Sequence, residues 1–285
     1  MIFDHSIMKT QSMFPMTLLL FVSSTLLHAQ SLTIVAAENF YGGVAAAVAG
    51  PSAKVTSIMS NPNQDPHEFQ TDAETAKAVA KADIVIYSGI GYDTWMKKLL
   101  AAQARPGRVV IKVSDLIGAK DGDNPHIWYD PKTMPALVAK LAVILKKPDA
   151  AAQFSRSMQP LLDKIATLQT KARGVKVTAT EPVFGYMATA LGFQMMNYPF
   201  QLAVMNDTEP SFRQTADFEK SLNSKTVRIL FCNSQVSNPV TQRMQNLAKN
   251  NGIPVVGVTE TQPTDAKTYV QWMLSQLTAV QSALH

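Results

Sequence analysis

The side chains in this chain best suited to chemistry are two histidines set in the same local frame. QDPHEFQ at 64–70 places His67 behind Asp65-Pro66, and DNPHIWYDP at 123–131 places His126 behind Asn124-Pro125. Beyond residue 28 the only other histidine is the terminal His285. A proline fixes its own φ and biases the residue before it toward extended backbone, so each imidazole leaves the chain in a restricted direction. A solitary loop histidine needs no function. Two in matching frames, in a histidine-poor chain, point to a pair of ligands. Glu181 in TATEPVF and Glu260 in VGVTETQ supply carboxylates. Two neutral imidazoles and two carboxylates make a mixed nitrogen and oxygen set suited to Zn²⁺, Mn²⁺ or Fe²⁺.

The surrounding elements must bring these four residues together. Short β-branched runs at 32–36, 55–58, 84–87 and 109–113 alternate with helical patterns, and the alternation resumes with runs at 175–179, 193–196, 227–231 and 254–258. Between the two sets a helical pattern covers 148–172, roughly 37 Å of helix at 1.5 Å per residue, with Pro160 expected to kink it. Thr71-Asp72-Ala73-Glu74 reads as a capping box. Asp130-Pro131 reads as the N-cap and first residue of a helix reaching Lys146, and a last helix is expected over 265–283. Strands alternating with helices imply parallel sheets covered on both faces. The expected fold class is α/β, with two lobes, each a four-stranded parallel sheet flanked by helices, joined by one long rigid helix. The expected divisions are a leader at 1–29, a first lobe at 30–146, the linking helix at 147–173 and a second lobe at 174–285. Ligands of open parallel sheets bind beyond the carboxyl ends of the strands. His67, His126, Glu181 and Glu260 each follow such a run.

Composition narrows the function. Hydrophobic content of 46% with 16% charged residues describes a globular chain rather than a disordered one. MTLLLFVSSTLL at 16–27, followed by small residues, reads as a secretory signal peptide, too short to span a bilayer. Met8 is an alternative start to Met1. The expected location is periplasmic, with a lipid-independent extracytoplasmic or cell-surface setting as the alternative. Cys232 is the single cysteine and reads as a buried, inert thiol. The net charge of +5 is scattered, without the basic stripe and interleaved aromatics of a nucleic-acid face. Gly89-Ile90-Gly91 lacks the third glycine of a dinucleotide loop and reads as a turn. Fourteen methionines spread through the chain read as packing rather than copper ligands.

NPNQDPHEFQTDAETAKAVAKADIVIYSGIGYDTWMKKL, DNPHIWYDP, TATEPVFGYMATALGF and NDTEPS together resemble the periplasmic and surface metal-binding proteins that serve ATP-binding-cassette (ABC) importers of zinc and manganese. The similarity runs from residue 31 to the carboxyl terminus. It implies two α/β lobes, a rigid linking helix, and one divalent cation in the cleft, delivered to an ABC permease membrane subunit. By that resemblance His67 and His126 are the histidine ligands and Glu181 the third ligand. Glu260 stands where the family usually has Asp, with Asp265 as the reserve for the fourth position. A monomer without a nucleic-acid partner is expected, and no catalytic residues are assigned.

Other readings of the same residues remain open. A metallohydrolase centre needs an open coordination position, and HExxH is absent. An adhesin with an incidental metal is the third reading. Asp130 is a candidate to orient His126, Trp128 to wall the site from water, and Glu209 to reach it, although a helix-start role explains Glu209 as well. The segment 115–124 lacks the His-rich insertion of many zinc-type members, which favours manganese or iron. Two carboxylates that bind through both oxygens also suit Mn²⁺, whereas intrinsic affinity favours Zn²⁺. A long helix between the lobes should limit motion to small adjustments of loops and lobes.

Overall fold

The structure, a computed structural model, describes residues 1–2, 31–62 and 69–285. The apolar run of the expected leader and His67 lie outside the described residues. The first half consists of β1 (Leu32–Glu38), α1 (Asn39–Ala49), β2 (Ala53–Met59), α2 (Ala73–Lys81), β3 (Ile84–Tyr87), α3 (Thr94–Ala102), β4 (Val109–Lys112), α4 (Val113–Ile117) and α5 (Thr133–Ile144). The 25-residue α6 (Pro148–Ala172) follows. The second half runs β5 (Lys176–Ala179), α7 (Gly185–Leu191), β6 (Gln194–Met196), α8 (Tyr198–Met205), α9 (Phe212–Asn223), β7 (Leu230–Asn233), α10 (Pro239–Asn250), β8 (Val255–Val258) and α11 (Tyr269–Ala283).

Every strand pairing is parallel. The strand orders are β2-β1-β3-β4 and β6-β5-β7-β8, the same topology twice. In each sheet the order in which strands are added reverses at the central pair, β1 with β3 and β5 with β7. This opens a crevice at their carboxyl ends, where open parallel sheets take ligands.

Helix α6 buries Met158, Leu161, Ile165, Leu168 and Ala172, alternating steps of three and four along one stripe. It is continuous through Pro160, which is exposed. A carbonyl that loses its partner at an exposed proline can turn to water. Helix α11, although last in the chain, packs on α6 and also meets α1. Buried residues of both sheets, from Ile34 and Ile86 to Val177 and Phe231, therefore belong to one apolar cluster. Tyr269 donates to the Trp128 carbonyl at 2.7 Å and Tyr129 to the Thr259 carbonyl at 2.7 Å, tying the halves together beneath the strand ends.

The helix starts differ from expectation in three places. Asp72, not Thr71, caps α2, accepting from the Thr75 amide at 2.7 Å. Asp130-Pro131 forms a turn before α5, in which Asp130 accepts from the Lys132 amide, and the helix begins only at Thr133. Thr268 caps α11 and leaves 265–267 outside the helix. In each case a nearby polar side chain satisfies a backbone amide one or more residues from the expected cap.

Candidate metal centre

His126 follows β4 and is 0% exposed. Its Nδ1 lies 2.7 Å from Asn124 Oδ1, which also accepts from the His126 amide at 3.1 Å. An amide oxygen can only accept, so it holds a proton on Nδ1, and a neutral ring held this way has its lone pair on Nε2. Nε2 faces Glu260 Oε2 at 3.3 Å, and Glu260 is also 0% exposed. An imidazole set against a buried carboxylate, its far nitrogen fixed by a hydrogen bond, is the arrangement of an oriented metal ligand. Asn124, two residues ahead in the DNPH segment, does the orienting. Asp130, the residue expected in that role, is engaged with the Lys132 amide instead.

Glu181 ends the turn after β5 and is 3% exposed. It is joined to Glu260 through Asn233, whose Nδ2 donates to Glu260 Oε1 at 2.5 Å and to Glu181 Oε2 at 3.3 Å. Asp265, the reserve ligand, is exposed, whereas Glu260 points inward. Glu209 is exposed too, in the approach to α9. Among the described residues no three His, Cys, Asp or Glu side chains close into a metal-holding group. His126 and Glu260 are brought together directly and Glu181 through one amide; the expected fourth member, His67, lies outside the described residues.

Uncharged amide side chains stitch the strand-end loops of one lobe to those of the other. Asn124 Nδ2 donates to the Pro182 carbonyl at 2.7 Å, next to Glu181. Gln235 donates from Nε2 to the Pro62 carbonyl at 2.6 Å, at the entry to the stretch that carries His67. Its Oε1 accepts from the amides of Glu260 at 2.5 Å and Thr261 at 3.1 Å. Asn39 and Gln262 exchange a reciprocal pair at 2.7 and 3.2 Å. These amides went unnoticed in the sequence because asparagine and glutamine are common in loops. For Asn39 and Gln235, positions just past strand ends are the signal that could have singled them out.

Trp128 and Tyr92 wall the site. The Trp128 ring lies 5.3 Å from the His126 ring and also packs on Phe40, so it serves core and site together. Burial pushes the Tyr92 phenol well up, and the charges of Glu260 and Glu38 add to it. Behind Tyr92 lies a carboxyl pair at the first lobe's crevice. Burial, then the charge of Asp93, holds Glu38 well above the usual carboxylate range. Asp93 is raised to about 6 by burial, opposed by the Gly89 and Ser88 amides that donate to it at 2.8 and 2.5 Å. Those bonds close the turn over Gly89, Ile90 and Gly91, all at positive φ, as expected of a turn there. Cys232 is buried and its thiol is pushed up by burial, as an inert thiol should be.

Comparison with known proteins agrees with this fold. The family described as zinc-uptake complex component A, periplasmic, matches residues 34–283. The manganese-binding lipoprotein MntA of Halalkalibacterium halodurans is 23% identical over 267 residues, covering 86% of this chain and 85% of that one. The periplasmic zinc-binding protein TroA of Treponema pallidum superposes with a TM-score of 0.70 at 20% identity, covering 89% of this chain and 99% of that one. A mutant of the laminin-binding adhesin Lmb of Streptococcus agalactiae reaches 0.72 at 19% identity, covering 89% and 100%. Two parallel-sheet lobes on one long helix, with strand ends converging on buried histidine and carboxylate groups, define the class of helix-linked metal-binding solute receptors. The chain belongs to the zinc-uptake complex component A family, a solute-binding family rather than a catalytic one.

Proposed function

We propose that this protein captures one divalent transition-metal ion, Mn²⁺ or Zn²⁺, between its lobes outside the cytoplasm and delivers it to an ABC permease in the membrane. The ligands in this reading are His67, His126, Glu181 and Glu260, two before α6 and two after it. The lobes then correspond to 30–146 and 174–285, with 147–173 as the link. One observation carries the reading. A fully buried imidazole, its Nδ1 held by Asn124, turns Nε2 onto the fully buried Glu260 carboxylate. That pairing offers one nitrogen and one oxygen to a shared cation, and the family membership supports a solute-binding role. Because metal competes with protons for imidazole, affinity should fall as pH drops through histidine's reference value of about 6.5.

Calorimetric titration of the purified chain with Zn²⁺ and Mn²⁺ should give one ion per chain. His126→Ala and His67→Ala should each weaken binding strongly. Glu181→Gln with Glu260→Gln should leave weak binding and remove the rise in melting temperature that the metal confers on wild type. Unchanged affinity in both histidine variants would refute the site. Metal-dependent hydrolytic turnover in the same preparations would favour an enzyme instead.

A further inference from the structure

We propose that the face at the amino ends of the second sheet is an adhesion surface for an anionic lipid membrane, holding the protein at the bilayer with its strand-end loops turned outward. The inference is independent of the ligand set proposed above. Basic residues are scattered along the sequence, but the parallel topology gathers six of them. All four strands of this sheet start at one end, and the helices that precede them finish there. Lys171 and Arg173 close α6 ahead of β5, which Lys176 begins. Lys225 and Arg228 lie between α9 and β7, and Lys249 lies in the last turn of α10, ahead of β8.

These segments touch one another. The Arg228 amide donates to the Lys176 carbonyl at 2.7 Å, and Asn251 Nδ2 donates to Asn223 Oδ1 at 3.1 Å. Lys225, Arg228 and Asn251 line one cavity of about 300 Å³ together with His285. All six cations are exposed, and none forms an ion pair among the described residues. Residues 164–180 and 220–259 contain no Asp or Glu, and in 266–285 the terminal carboxylate is the one acidic group. Cations near helix carboxyl ends complement the exposed carbonyls there, which accounts for Lys171 and Lys249. Lys176 and Arg228 stand at strand starts, and the lack of any acidic side chain goes beyond what helix ends require.

Six unpaired charges spread over the ends of several elements make a broad positive field rather than a seat for one small anion. No exposed Phe, Tyr or Trp stands among them, as stacking on a nucleic acid would require. An anionic bilayer carries its charge spread in the same way, and each Lys or Arg near it adds about fivefold to the affinity. Glu181 lies past the opposite end of β5 from Lys176, roughly 15 Å along the strand direction. That is about two Debye lengths at physiological salt. Charges at the amino ends therefore act on a membrane without altering metal affinity.

The test is sedimentation of the purified chain with vesicles of phosphatidylglycerol and phosphatidylethanolamine in equal parts, with phosphatidylcholine vesicles as the neutral comparison. Wild type should bind the anionic vesicles alone and release them in about 1 M salt, where the screening length is about 3 Å. Lys176→Gln, Lys225→Gln and Arg228→Gln combined should weaken binding by about 100-fold, with metal titration unchanged. Lys97→Gln, Lys98→Gln and Lys140→Gln remove the same charge from exposed positions on α3 and α5 of the first half and should weaken it by less than about tenfold. Unfolding curves check that both variants fold; if the first does not, Lys176→Gln alone should still cost about fivefold. Equal binding to both vesicle types, binding to neither, or equal losses in the two triple variants overturns the inference. Tighter capture by single-stranded DNA than by the anionic vesicles overturns it as well, assigning the face to a nucleic acid.

Discussion

Asn124 combines two tasks that a pair of substitutions should separate. Its Oδ1 fixes the buried His126 imidazole, and its Nδ2 ties the first lobe to the Pro182 carbonyl of the second. Asn124→Ala removes both. It leaves the His126 Nδ1 proton without an acceptor in a fully buried position, which costs about 1–3 kcal/mol, and loses a bond to Pro182 worth about 0.5–1.5 kcal/mol net. The metal-free chain should therefore lose about 2–4 kcal/mol in urea unfolding. Metal affinity should fall by about 10–100-fold, because the imidazole has lost its orienting partner. Asn124→Asp keeps an acceptor for His126 and makes it a stronger one, while turning a carboxylate oxygen toward the Pro182 carbonyl. It should destabilise the metal-free chain yet hold affinity within about tenfold of wild type. Metal titration and unfolding on the same three proteins read both quantities. Equal affinity losses in the alanine and aspartate variants would show that the Asn124 contact does not orient the imidazole.

The other clasps give further expectations. Gln235→Ala should destabilise the metal-free chain by about 1–3 kcal/mol, because the amides of Glu260 and Thr261 lose their acceptor and Pro62 its donor; urea unfolding within 0.5 kcal/mol of wild type, taken as about the size of a neutral surface change, would refute the clasp. Gly185→Ala would place a Cβ 2.7 Å from Asn124 Nδ2, an atom already held at Pro182, so stability should fall by about 1–3 kcal/mol with metal affinity falling alongside. The Glu38 and Asp93 pair should make stability fall as pH rises. Both carboxyls titrate higher in the folded chain than when unfolded, so their contribution is complete below the ordinary carboxylate range and is lost as pH rises through the folded values. For Asp93, raised from 3.8 to about 6, this amounts to about 3 kcal/mol. Glu38→Gln removes the neighbouring charge, so its stability relative to wild type, measured by unfolding with chelator present, should increase between pH 5 and pH 8; parallel profiles would contradict the pairing.

Residue order alone was enough to establish the two sets of four strands, the 148–172 helix and the loops on which His126, Glu181 and Glu260 lie. Periodicity is a local property, and a strand-helix alternation restricts the sheets to parallel pairing with ligand loops at one end. The matching D-P-H and N-P-H frames marked the histidines for the same reason, since proline acts on its immediate neighbours. Cap positions were less legible, because Asp72 and Thr71, or Asp130 and Lys132, compete within one turn and the outcome depends on which backbone amide the packed chain leaves open.

Which of Glu260 and Asp265 lies beside His126 depended on tertiary structure. Both follow β8 in sequence, but only Glu260 leaves the strand end facing His126, whereas Asp265 lies beyond the turn in solvent. The amide shell also belongs to tertiary structure alone. Asn124 meets Pro182, Gln235 meets Pro62, and Asn233 joins Glu181 to Glu260 across separations in sequence that no local rule spans. Packing sets which acceptors lose contact with water, and at the buried Glu181 and Glu260 carboxylates an amide with no distinguishing local pattern satisfies them.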